Sequence, residues 1–125
     1  MKEVMAIVRM NKINQTKRAL SGAGITSMHA KDCLGRGKGI VEIHLLTGID
    51  HEYEEKMDQL GNGGRLIPKR MISVVVPDHL VKKVVDTIIK ENQTGKSGDG
   101  KIFVMPVSDS IRVRTGERGD EVLDD

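Results

Sequence analysis

A strand–helix–strand pattern occurs twice in this chain, at residues 2–33 and again at residues 70–107, with a long glycine-rich stretch of no regular period between the two. In the first unit, Val4, Ala6 and Val8 alternate with Met5 and Ile7, so residues 2–10 are apolar on both faces and predict a central strand. Asn14 is placed to cap a helix in which Ile13, Lys17 and Leu20 follow helical spacing and which Gly22 and Gly24 end, and residues 25–33 resume an extended pattern. In the second unit, the β-rich run 71–76 stops at Pro77. Asp78 is then placed as N-cap of a helix carrying Leu80, Val81, Val84, Val85, Ile88 and Ile89 at helical spacing, and residues 102–107 form the last full strand.

Right-handed crossovers put both helices on one face of a four-stranded sheet, which gives an α+β, ferredoxin-like βαββαβ fold. The other face then lacks a cover. The 125 residues make one domain with a single core, and with Tyr53, Phe103 and no Trp that core must be filled by Val, Ile, Leu and Met. Each such side chain contributes roughly 1.5–3 kcal/mol when buried, so a small aliphatic domain with a long excursion gains from packing its open face against copies of itself. A trimer or a similar small ring is expected.

The excursion spans residues 35–67 and holds seven of the 14 glycines. A connection of more than 30 residues far exceeds the usual 4–6 or so and marks a functional loop. Within it residues 40–46 alternate weakly, and Asp50 could start a short helix with Tyr53, Met57 and Leu60 on one face, a ridge suited to docking a partner. Beyond residue 117 the chain is polar and is expected to form a flexible tail, residues 118–125.

Chemistry concentrates at residues 94–101, Thr-Gly-Lys-Ser-Gly-Asp-Gly-Lys, which join the second helix to the last strand. Three glycines allow backbone amides to converge on an anion, and Lys101 adds a positive charge; this is a phosphate cradle. Arg112 and Arg114, read as alternating on a short strand 111–114, would point two planar guanidinium groups to one side. The remaining composition excludes more than it assigns. A net charge of +2 is too balanced for a nucleic-acid or anionic-membrane protein, and Phe103 alone is no base-stacking platform for an RNA-binding module. The single Cys33 rules out a disulfide framework and reads as a buried thiol in a reducing compartment. No apolar run reaches membrane-span length and no secretory leader pattern opens the chain, so a cytoplasmic location is expected. His44, His51 and His79 have no partners at metal-ligand spacing. A small acylphosphatase-like hydrolase on the same fold would use an Arg and an Asn near the first strand, which Arg9 and Asn11 offer, but the glycine-rich anion loop lies elsewhere.

The motifs at residues 94–104 and 111–117 (Ile-Arg-Val-Arg-Thr-Gly-Glu), with Gly-Ile-Thr-Ser-Met at 24–28 and Gly-Arg-Gly-Lys at 35–38, closely resemble the PII signal-transduction proteins. The resemblance covers nearly all of the chain outside the long loop and the tail. It implies one PII-like domain over residues 1–117, a non-enzymatic trimer that binds ATP or ADP in clefts between subunits, with magnesium arriving on ATP, and a readout of 2-oxoglutarate through the T-loop, here residues 35–67. Carried over by position, Gly98, Asp99, Gly100 and Lys101 form the phosphate loop. Gly35, Arg36, Gly37 and Lys38 form the T-loop base, and Arg112 and Arg114 come from the neighbouring subunit. Ser27, Met28 and His29 lie beside ribose and adenine, and Lys69 matches the lysine that pairs with a ligand carboxylate.

Two departures stand out. Gly39 occupies the position of a family glutamine that serves both 2-oxoglutarate and magnesium, and the T-loop is longer than in common members by about a dozen residues, a length that changes its partner. The Tyr-Arg-Gly-x-Glu-Tyr pattern of uridylylated members is absent around Tyr53, so that modification is not expected. The long loop, Gly-Arg-Gly-Lys and the lost glutamine are similar to the longer second member of the PII pair found in nitrogen-fixation operons of archaea. This resemblance implies a homotrimer or a heteromeric ring with a sister PII protein, and control of the nitrogenase dinitrogenase component through docked T-loops.

Overall fold

The computed structural model describes residues 1–37 and 66–123. They form a four-stranded antiparallel sheet in the order β2-β3-β1-β4, with β1 at Lys2–Arg9, β2 at His29–Gly35, β3 at Ile67–Val76 and β4 at Lys101–Pro106. Helices α1 (Ile13–Gly22) and α2 (Val81–Asn92) are the two crossovers. The expected βαββαβ arrangement is the one observed.

Strand β1 is central because both its faces are apolar. Val4, Ala6 and Val8 are buried, and they meet Ile72, Val74 and Val76 of β3 beneath Ile13 and Leu20 of α1 and Val84 and Ile88 of α2. These aliphatic side chains are the core, and burying Leu20, Ile72 and Ile88 fully contributes about 1.5–3 kcal/mol each. The opposite face carries Met5, Ile7, Met71, Val75, Phe103 and Met105, the alternate residues of the same register, and neither helix covers it.

Several local expectations are corrected. A 3-10 turn at Met10–Lys12 runs directly into α1, so Asn14 lies within the first helical turn and supplies no cap. Thr16, not Lys17, takes the inward position of that turn; its hydroxyl donates to Lys12 O at 2.8 Å and accepts from Asn92 Nδ2 of α2 at 3.0 Å, a polar tie inside the interhelical contact. Asp78 likewise caps nothing. It opens a 3-10 turn, Asp78–Leu80, and its carboxylate pairs with the Met1 amino group at 3.1 Å and Lys2 at 3.5 Å, chiefly the former, which lowers its pKa.

Strand β2 starts at His29, not Ile25, because pairing with β3 begins at the His29–Ser73 register; Ile25 instead enters the core. Strand β3 extends back to Ile67, since residues 67–70 pair with β2 although they lack an apolar alternation of their own. Cys33 is half-buried, opposite Lys69. Residues 111–114 are not a strand. Ile111 bridges Arg118 alone, and residues 112–117 form a tight turn closed by Arg112 N to Glu117 O at 2.8 Å and Gly116 N to Arg112 O at 2.7 Å. Residues 118–123 fold back rather than trailing away as a tail: Gly119 N donates to Ser110 O at 3.0 Å, and a 3-10 turn, Asp120–Val122, buries Val122. The weak strand at 40–46 and the ridge of Tyr53, Met57 and Leu60 lie outside the described residues.

Candidate functional site

Helix α2 ends at Asn92, and the loop to β4 folds around one carboxylate. Asp99 accepts from the backbone N–H of Thr94 at 2.7 Å and of Gly95 at 2.9 Å, from the Thr94 hydroxyl, and from Arg9 Nη1 at 2.6 Å. The Thr94 hydroxyl, then its amide, then Arg9 hold the Asp99 carboxyl well below the usual carboxylate range. Asp99, expected beside phosphate, thus turns its side chain onto its own loop. Arg9 also donates through Nη2 to Ser97 O at 2.9 Å, and Lys69 Nζ donates to Gly98 O at 2.8 Å. Partial burial, reinforced by Arg9, lowers the Lys69 pKa against the opposing pull of Asp99.

Gly100 is where the loop lands on the sheet. Its φ is +116°, and a Cβ there would sit 2.0 Å from the carbonyl oxygen of Ile7, so only glycine allows this approach.

The landing builds a cavity of about 310 Å³ that brings Gly35, Arg36, Gly37, Lys69, Gly98, Gly100 and Lys101 together over Ile7 and Phe103. Residues that the sequence holds more than 60 positions apart thereby share one cationic, glycine-lined recess. Lys38 and Gly39 lie outside the described residues.

A second cavity, of about 410 Å³, gathers Ser27, His29, Arg112 and Arg114 with Ser110, Ile111 and the carboxy-terminal Val122 and Leu123. Arg112 is held in the turn both by its backbone bond to Glu117 and by an ion pair from Nη1 to Glu117 Oε1 at 3.0 Å. Met28, expected beside the other two, packs against the hydrophobic core instead. The two cavities share no residue: within one chain the arginines do not line the recess beneath the glycine loop.

The sequence marks Arg9 only as the candidate anchor of a hydrolase and does not show it as a partner of the loop. Its guanidinium is committed to Asp99 and Ser97, while Asn11 is exposed on the 3-10 turn. The one available signal is parity, since Arg9 shares the face of Met5 and Ile7, not that of Val4 and Val8. That it meets Lys69 and residue 99 depends on strand pairing. Glu117 stands in the sequence as part of a motif, and its bond to Arg112 emerges only in the fold. Among the described residues no group of three His, Cys, Asp or Glu side chains could hold a metal ion, and no helix is long and apolar enough to cross a membrane.

Comparison with known proteins places this geometry in context. The family described as nitrogen regulatory protein P-II matches residues 1–117. A nitrogen fixation nifHD region GlnB-like protein 2 from Methanobacterium ivanovii is 45% identical over 123 residues, covering 98% of this chain and 99% of the relative. Nitrogen regulatory protein P-II 1 of Escherichia coli is 38% identical over 123 residues, covering 98% of this chain and 100% of its own. Among solved structures, Arabidopsis thaliana PII bound to citrate is similar with a TM-score of 0.73 and 35% identity, over 98% of this chain and 88% of that one.

Proposed function

The chain belongs to the nitrogen regulatory protein P-II family, and from that premise we propose that it is a signalling subunit that binds ATP or ADP between the subunits of a trimer and relays 2-oxoglutarate status to a target through its T-loop. One observation carries this reading. The glycine loop with Lys69 and Lys101 and the arginine pair with Ser27 and His29 form two separate recesses that share no residue. A nucleotide needs cationic groups at its phosphates and a pocket for ribose and base, and two copies in contact can supply one recess each. The apolar sheet face that neither helix covers, half-buried except for the exposed Phe103, supplies the driving force for such contact.

Several residues then divide the work. Amides of the glycine loop and Lys101 receive phosphate oxygens, Arg112 and Arg114 reach in from the neighbour, and Ser27 and His29 flank the sugar and base. Magnesium comes with ATP, held largely by phosphate oxygens. Lys69 faces the recess beside Gly35, Arg36 and Gly37, at the stem of the T-loop, and is the group on which a carboxylate of 2-oxoglutarate pairs. That the Arabidopsis relative was solved with citrate agrees with a carboxylate ligand in this family. Switching requires only that the ligands bind two T-loop arrangements with different affinity.

The names of the archaeal relatives, which refer to a nitrogen-fixation gene region, support a role in regulating nitrogen fixation; the dinitrogenase component is the target of this reading, and a homotrimer or a ring with a sister PII protein is its assembly. The protein acts in the cytoplasm as a regulator, not as an enzyme. Titration calorimetry with MgATP, repeated with 2-oxoglutarate, tests the reading. ATP binding strengthened by 2-oxoglutarate is the expected result. Absence of ATP binding refutes the site, and ATP binding indifferent to 2-oxoglutarate assigns sensing to a sister subunit.

A further inference from the structure

A glycine loop holds an anion only while its N–H groups face it, and glycine itself does not enforce that. Gly98 and Gly100 sit at positive φ, where glycine moves between basins at little cost, so a peptide between them can turn over and present its carbonyl to the phosphate instead. Something outside the loop must fix the peptide planes. The Ser97 carbonyl accepts from Arg9 Nη2 at 2.9 Å and the Gly98 carbonyl accepts from Lys69 Nζ at 2.8 Å. In a trans peptide the C=O and the following N–H point in opposite directions, and no peptide among the described residues is cis. With those two carbonyls drawn to the cations, the N–H groups of Gly98 and Asp99 are turned away from them. Arg9 does more than its neighbour, because its other nitrogen, Nη1, bonds Asp99 at 2.6 Å, and Asp99 gathers the amides of Thr94 and Gly95 at the start of the loop.

We propose that Arg9 is a positioning residue of the phosphate-binding loop: by holding the Ser97 carbonyl and the Asp99 carboxylate together, it sets the peptide orientation that receives the phosphates of a nucleotide, without being a phosphate ligand itself. The proposal rests on the nucleotide reading above. Arg9 suits the task because its planar fork reaches two acceptors at once, which a lysine ammonium on a flexible stem does less well.

The test is titration calorimetry of the full chain with MgATP and, separately, with adenosine, for wild type, Arg9→Ala, Arg9→Lys and Asp99→Asn. Arg9→Ala should lower ATP affinity by about tenfold or more, the scale of one or two lost charged hydrogen bonds, while adenosine affinity stays within about twofold, because ribose and base lie elsewhere. Arg9→Lys should fall between wild type and Arg9→Ala, and Asp99→Asn should also weaken ATP. Tighter ATP binding by Asp99→Asn would overturn the proposal, since it would mean that Asp99 restrains an arginine that touches phosphate directly. Unchanged ATP affinity in Arg9→Ala would overturn it as well, and should that variant not fold, the order of Arg9→Lys and Asp99→Asn against wild type decides. Wild-type protein that binds no ATP refutes the nucleotide reading and this inference with it, whereas wild type that binds ATP beside an unaffected Arg9→Ala refutes the inference alone.

Discussion

Replacing Gly100 by alanine perturbs the site at the point where loop and sheet touch. The added Cβ would lie 2.0 Å from the Ile7 carbonyl oxygen and 3.1 Å from its carbon, both backbone atoms of the central strand that no rotamer change can move. To reach even a tight contact, the start of β4 must withdraw by at least about 1 Å, and it must do so at the last register pair between β1 and β4, Ile7 with Lys101. A second cost adds to this, because alanine at φ +116° leaves the region that L side chains favour. Overpacking of this kind costs about 1–3 kcal/mol and a residue held at a disfavoured φ about 1–3 kcal/mol. The chain can relieve part of that by releasing Lys101 from β1, so a global loss of about 2–4 kcal/mol in urea denaturation is expected, together with a fall in ATP affinity of at least about tenfold. Gly95→Ala is the control, because Gly95 also has a positive φ, +83°, but a Cβ there meets nothing within 4 Å. It should cost only about 1–2 kcal/mol, the strain alone. The reasoning fails if Gly100→Ala is no less stable than Gly95→Ala and binds ATP like wild type.

Other outcomes follow from the same geometry. Lys101→Ala and Arg112→Ala should each weaken ATP by about tenfold in calorimetry while the protein stays folded, since neither side chain belongs to the hydrophobic core, although Arg112→Ala also gives up the ion pair to Glu117; unchanged affinity in both would remove the assigned site. Asp99 has a folded pKa below its unfolded one, so its contribution is present above about pH 4 and disappears as pH falls through the unfolded and then the folded value. Denaturation of wild type and Asp99→Asn should therefore differ at pH 7, with the gap beginning to narrow only below about pH 4 and closing as pH falls on through the folded value, and a gap that widens on acidification would contradict the assignment. Asn92→Ala removes a buried amide that bonds Thr16 Oγ1 and Ile88 O, and should cost about 1–3 kcal/mol in denaturant; a loss under about 0.5 kcal/mol would show that the interhelical tie contributes little.

Much of the fold was legible because period carries it. The alternation of Val4, Ala6 and Val8 and the spacing of Val84 and Ile88 are properties of local sequence, and each predicts which side is buried. Helix starts were less legible. Asn14 and Asp78 have the right chemistry for caps, but 3-10 turns lead into both helices, and Asp78 finds stronger partners in the Met1 amino group and Lys2, one strand away in space. Residues 67–70 carry no strand pattern yet form β3, because a partner strand can supply the pairing that composition does not advertise. The turn at Arg112 carries the sequence pattern of a strand, since alternation over four residues does not distinguish a ladder from a closed turn.

The sequence by itself determined the order of elements, the composition of the core, and the loop chemistry of residues 94–101, because these follow from side-chain period and from glycine's lack of a Cβ. Only the tertiary structure decided which distant groups meet. It brought Gly35 to Gly37, Lys69 and Gly100 into one recess, placed Arg112 and Arg114 beside Ser27 and His29 in another, and gave Arg9 its two acceptors in the loop. Those juxtapositions are set by strand register and by the close approach of Gly100 to Ile7, which are relations between segments far apart in sequence and are written in no single stretch of the chain.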